Sequence, residues 1–141
     1  MNSKEMLSSL LKTTQMGQVG IRSVLDTAMR PGLRKALESQ LHEYDSIETE
    51  AHTIASRRGW ELKELDPAVR FMADMMTRAK LNWGNTDSKI AGMMIQGNTR
   101  GMITGLKNAH QFNKQDEEVR LLSRKLIDCE TANIRQMQGF L

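Results

Sequence analysis

Apolar residues recur at helical intervals in four long stretches and one short one. In the first, Leu7, Leu10, Leu11, Ile21, Val24, Leu25 and Ala28 share a face, which predicts a helix from a cap at Ser3 to about Met29-Arg30. Thr14 and Gln18 continue that stripe and make its middle polar; a buried amide or hydroxyl must be partnered or costs roughly 1–3 kcal/mol. Pro31 suits a first helical position, so a tight turn starts a second, antiparallel helix. Its stripe is Leu33, Leu37, Leu41, Tyr44, Ile47, Ala51 and Ile54, with Gly59 as the stop and Gln40, Glu43 and Glu50 along its edge. From 59 to 85 the pattern breaks, with Trp60 and Trp83 near the two ends. Within that segment Asp66-Pro67 offers a cap, predicting a shorter helix over Pro67–Lys80 that carries Val69, Met72, Met75, Met76 and Ala79. Residues 84–86 read as a turn and cap. Ile90, Met94, Met102 and Leu106 then mark a third long helix to about Ala109, and Gly92, Gly97, Gly101 and Gly105 weaken it by up to about 1 kcal/mol each. After a polar turn over 108–114, Asp116, Glu117 and Glu118 open a fourth, where the macrodipole favours acids. Its stripe is Val119, Leu122, Leu126, Cys129, Ala132 and Met137.

The chain therefore reads as two helical hairpins joined by a long connector. Residues 15–28 repeat at 96–109: a shift of 81 puts Gln15 on Gln96, Gly20-Ile21 on Gly101-Met102, Leu25 on Leu106 and Ala28 on Ala109. A helix of about 25 residues is roughly 37 Å long, and the connector can travel that height.

Composition narrows the picture. The 141 residues include two prolines, Pro31 and Pro67, and few aromatics, so the fold is all-α. A net charge of +3 is spread among acids instead of concentrated on one face, and both ends lack a basic tail, which argues against nucleic acid as a partner. The single Cys129 excludes an intramolecular disulfide and fits a reducing compartment. No segment approaches eighteen consecutive apolar residues and the N-terminus lacks a leader pattern, so the expectation is a soluble, cytoplasmic protein with no membrane partner.

Aligning the second helix with the fourth through Leu37 on Leu122, Leu41 on Leu126 and Tyr44 on Cys129 places Glu43 over Asp128 and Ser46 over Thr131. Two hairpins, a crossover and a polar middle resemble the ferritin-like superfamily, in particular a small bacterial branch of it. The resemblance runs through Met16-Gly17-Gln18-Val19-Gly20-Ile21, Arg30-Pro31-Gly32-Leu33, Arg58-Gly59 and the second-hairpin run up to Asn108-Ala109. It implies an up-down-down-up four-helix bundle with a short crossover helix. One domain would cover 1–141, with hairpin 1 over about 3–58, crossover 59–85 and hairpin 2 over about 86–141.

A di-iron member of that superfamily needs a Glu from each of two helices and a Glu-x-x-His from each of the other two. The candidate positions here hold Gln15 or Gln18, Gln96 or Thr99, Glu43 with Ser46, and Asp128 with Thr131. Two carboxylates remain, both histidines are absent, and amides and hydroxyls are poor substitutes at a transition metal. The expectation is that these eight residues form a hydrogen-bonded polar layer, a vestige of a metal site, in a non-enzymatic structural or interaction protein without a cofactor. The alternative is a metal-binding or oxidase-type protein in which Glu43 and Asp128 hold one weakly bound divalent ion, iron or manganese.

The remaining candidates read more simply. His42 and His52 share the second helix, and Glu48 with His52 is an i,i+4 pair that could grip a metal but fits a solvated face as well. His110 lies in a polar turn, and Cys129 continues an apolar stripe as a small core residue. The methionines at 72, 75, 76, 93, 94 and 102 have core-filling spacing, with a copper or partner surface as the other reading. If the crossover helix stands partly outside the core, Phe71, Met72, Met75 and Met76 form a homodimer face.

Overall fold

The computed structural model describes residues 1–82 and 86–141; the predicted turn at Gly84-Asn85, and Trp83, lie outside the described residues. The fold is all-α, with no strand among the described residues. Five helices follow in order: α1 Ser3–Val24, α2 Pro31–Arg57, α3 Pro67–Lys80, α4 Thr86–Gln111 and α5 Glu117–Gln138. Among the described residues, no helix is long and apolar enough to cross a membrane.

Each boundary has a local cause. Asn2, not Ser3, caps α1: its side chain accepts from Glu5 N, and the Glu5 carboxylate accepts from Asn2 N, a reciprocal capping box. α1 stops at Val24, earlier than its apolar stripe suggests, and tightens into a 3-10 turn over Leu25–Thr27. Pro31 occupies the first turn of α2, and Gly59, at φ 68°, lets the chain leave after Arg58. Asp66 caps α3 through Ala68 N at 2.8 Å, and Asp116 caps α5 through Val119 N.

Contacts between helices set their directions. In α1 and α2, Gln15 meets Glu48 while Gln18 meets Asp45, so the pair is antiparallel. In α4 and α5, Gly101 faces Glu130 and Gly105 faces Ile127, again antiparallel. Between hairpins, α1 faces α4 with Ser9 against Asn108 and Gly20 against Met94. α2 faces α5 with Gln40 against Gln136 and Glu50 against Lys125.

Two clamps tie the hairpins together near their ends. Asp87, in the first turn of α4 and 5% exposed, accepts from Met29 N at 2.8 Å, Arg30 N at 3.0 Å and Arg30 Nε at 3.0 Å. One buried carboxylate thus satisfies the turn donors between α1 and α2. Burial pushes its pKa up, but these bonds outweigh burial and hold it below the usual carboxylate range. At the other end of α2, Arg58 donates to both oxygens of Asp116 at 2.6 and 3.0 Å and to Glu118 at 2.8 Å.

The core runs through both hairpins: Leu7, Leu11, Ile21, Leu33, Leu37, Ile47, Ile90 and Met137 are all under 2% exposed. α3 packs on α1 and contributes no buried residue. Of the residues predicted inside, Leu106 and Ala132 are exposed at the margins of their apolar stripes, and Met72, Met75 and Met76, whose spacing reads as core-filling, are exposed because α3 lies outside the core.

The burial pattern repeats between hairpins, at offsets different from those read in the sequence. Every buried residue of α5 lies 86 positions after a buried residue of α2, as in Leu33 and Val119, Tyr44 and Glu130, Ile47 and Asn133, Ala51 and Met137. Every buried residue of α4 lies 80 positions after one of α1, as in Leu10 and Ile90, Leu11 and Ala91, Gln18 and Asn98. The sequence repeat at 81 and the apolar alignment at 85 each differ from these offsets by one residue. One residue is about 100° around a helix, enough to turn a core position toward solvent.

Candidate functional site

The eight residues expected in one polar layer are not brought together. Gln15 and Gln18 are buried at 3% exposure each. Ser46, Thr99 and Thr131 are half-buried, while Glu43, Gln96 and Asp128 are exposed. Thr99 and Thr131 spend their hydroxyls on carbonyls of their own helices, Ile95 O at 2.7 Å and Ile127 O at 2.9 Å. Glu43 and Asp128 follow the one-residue register error outward, and neither is placed to share an interior ion.

A different polar group occupies the middle of the bundle. Tyr44, Asn98, Glu130 and Asn133 are each 6% exposed or less and come from α2, α4 and α5. The Tyr44 hydroxyl donates to Asn98 Oδ1 at 2.8 Å, and Asn133 Nδ2 donates to the same oxygen at 3.2 Å. Asn98 Nδ2 in turn donates to Met94 O at 2.7 Å. The amide of Asn98 is therefore the hub, held in one orientation by partners on both sides.

Glu130 stands apart from that network. It is 2% exposed and its Oε1 has no hydrogen-bond partner among the described residues. Burial pushes its carboxyl from an ordinary 4.5 up to about 8, so at neutral pH it is mostly the uncharged acid. Its surroundings respond: burial and then the neighbouring Glu130 raise the Tyr44 phenol. Burial first, then Glu43 and Glu130, push the Cys129 thiol up to about 11, which makes it a poor nucleophile.

Glycines make room for this layer. A Cβ on Gly101 would lie 2.1 Å from Glu130 Oε2, and one on Gly17 would lie 2.5 Å from Tyr44 Cζ. Tyr44 and Glu130 occupy matching positions in the two hairpins, and each is received by a glycine of its partner helix. Glycines in α1 and α4 were legible in the sequence, but what they admit was not.

The second polar cluster lies on the seam between α1, α2 and the connector. Gln15 Nε2 donates to Glu48 Oε2 at 3.1 Å and Glu64 Oε1 at 3.0 Å, and its Oε1 accepts from Leu65 N at 2.8 Å. Gln18 Nε2 donates to Asp45 Oδ1 at 2.8 Å and Glu48 Oε1 at 3.3 Å. The two buried amides of α1 thus fasten α2 and the connector to it. His52 Nε2 lies 3.4 Å from Glu64 Oε1, and one ligand atom each from Glu48, His52 and Glu64 falls within 4.8 Å of the others. The i,i+4 pair read in the sequence gains its third member from the connector, whose path no local pattern specifies.

Above Glu130 and Tyr44 a groove of about 520 Å³ opens between α1, α3 and α4. Met16, Met76, Met93 and Met94 contribute to its walls, and Lys12, Lys80 and Arg100 line it with exposed residues.

No protein-family model matches this sequence, and no curated protein matches it. Among solved structures it is similar to the crystal structure of a conserved hypothetical protein, rv2844, from Mycobacterium tuberculosis. The likeness covers 99% of this chain and 96% of that one at a TM-score of 0.74, with 10% sequence identity, and at that identity it shows a shared helical fold alone.

Proposed function

We propose that this chain is a ferritin-like, up-down-down-up bundle with a non-enzymatic structural or interaction role, in which a neutral polar layer stands where related bundles hold metal. Helix directions support the topology: α1 is antiparallel to α2 and α4, and α5 is antiparallel to α2 and α4. The burial repeat at offsets of 80 and 86 supports a twofold relation between hairpins. One observation carries the functional reading. The central layer offers a phenol, two amides and a single carboxyl group held in its acid form. Two hard cations need several anionic oxygens, and this donor set holds a single carboxyl group.

The interaction surface in this reading is α3, where Phe71, Met72, Met75 and Met76 are 55–64% exposed and adjacent, a face suited to a second copy of the chain. Protein purified without chelators should contain far less than one iron or manganese per chain by elemental analysis. Stoichiometric metal would overturn the reading. A metal-binding role is favoured by the separate Glu48, His52 and Glu64 cluster. Were that reading correct, zinc or manganese would bind with a stoichiometry of one and be lost in His52→Ala together with Glu64→Ala.

A further inference from the structure

The groove between α1, α3 and α4 has a polarity gradient. Its inner end is Glu130, buried, with an oxygen that lacks a partner. Its middle is thioether and glycine. Its solvent side carries Lys12, Lys80 and Arg100, none of which takes part in an ion pair among the described residues. Glu130 Oε1 and Gln40 Oε1 are the buried side-chain oxygens without a partner among the described residues, and of the two only Glu130 lines the groove, where a ligand atom can complete it. Three unpaired cations around an apolar opening favour a negative group there. A volume near 520 Å³ lies in the range of small-molecule sites, and methionine walls adapt to unbranched chains.

We propose that this groove binds a free single-chain amphiphile whose anionic group sits among Lys12, Lys80 and Arg100, whose alkyl body lies along the methionines, and whose inner hydroxyl hydrogen-bonds Glu130. An ω-hydroxy medium-chain carboxylate is the simplest member of that class. The site goes beyond the metal-free reading above, although Tyr44, Asn98 and Glu130 of the polar layer and Met76 of the α3 face also line the groove; elemental analysis tests the one and ligand titration the other. A pocket built to bond a hydroxyl discriminates against the analogue lacking it, because its own polar atom is then left without a partner.

The test is calorimetric titration of the full chain at about pH 7 with 10-hydroxydecanoate, decanoate and 10-aminodecanol. The first should bind one to one, decanoate at least about tenfold more weakly, and the cationic amine not measurably. Glu130→Leu should bring the two carboxylates to equal affinity. Gly97→Leu should abolish binding of both: position 97 lines the groove, and a Cβ there meets nothing within 4 Å, so this variant stays folded even if Glu130→Leu does not. No binding, equal affinity for both carboxylates in the parent chain, binding of the amine, or full binding by Gly97→Leu would each overturn the proposal. So would binding to anionic vesicles with none of the free carboxylate.

Discussion

Glu130→Gln replaces a buried acid by a neutral group of nearly the same shape, and its effect should depend on pH in a way few surface changes could imitate. In the folded chain the Glu130 carboxyl is raised to about 8 from an ordinary 4.5. A raised carboxyl pKa means that the folded state holds a proton the unfolded state has released. Its contribution to stability is therefore fully present below about pH 4.5 and is lost as pH rises through about 8. Each pH unit between those limits removes up to about 1.4 kcal/mol, so from about pH 5 to about pH 8 the loss is roughly 3.5 kcal/mol. Glutamine at 130 carries no such proton. Urea unfolding of both proteins across that range isolates the effect, because other titrating groups cancel in the difference between the two curves. The variant should gain on the parent chain steadily as pH rises. Parallel curves would refute the reasoning, since they would mean that Glu130 ionises in the fold as it does in water.

Gly101→Ala should destabilise the fold by roughly 1–3 kcal/mol, because its Cβ would meet Glu130 Oε2 at 2.1 Å. Gly92→Ala, in the same helix with nothing within 4 Å, should stabilise it by about 0.5–1 kcal/mol in the same denaturation assay. Asp87→Ala should cost about 1–3 kcal/mol by leaving Met29 N and Arg30 N without their acceptor, with a matching loss of amide-exchange protection at 29 and 30. Met72→Asp with Met76→Asp should lower the mass seen by light scattering from dimer to monomer while leaving helicity unchanged, because neither side chain is buried within the chain.

Much of the architecture was legible because helix signals are local. The stripes, the Asp66-Pro67 start of α3 and the Gly59 stop each depend on a few neighbouring residues. The polar middle of α1 was legible too: Thr14 and Gln18 are buried, and their bonds go to Leu10 O and to α2 carboxylates. The site was harder because it depends on rotation. Matching Tyr44 to Cys129 keeps an apolar stripe along the chain, whereas the register of the fold matches it to Glu130 and brings Ser123, Glu130 and Asn133 inside. Around the helix the one-residue shift exchanged a buried carboxyl for the exposed Asp128. Asp87 and Glu64 were overlooked for another reason: their partners lie 57 and 49 positions away, across a connector whose route only packing decides.

Carbon-13 NMR of the Glu130 side-chain carboxyl reports directly whether the interior is neutral. With the other glutamates assigned by substitution, the Glu130 resonance should keep its protonated shift through neutrality and move with a midpoint near 8. A midpoint at or below the ordinary 4.5 would mean an ionised carboxylate at the centre of the bundle, and would contradict a neutral layer there.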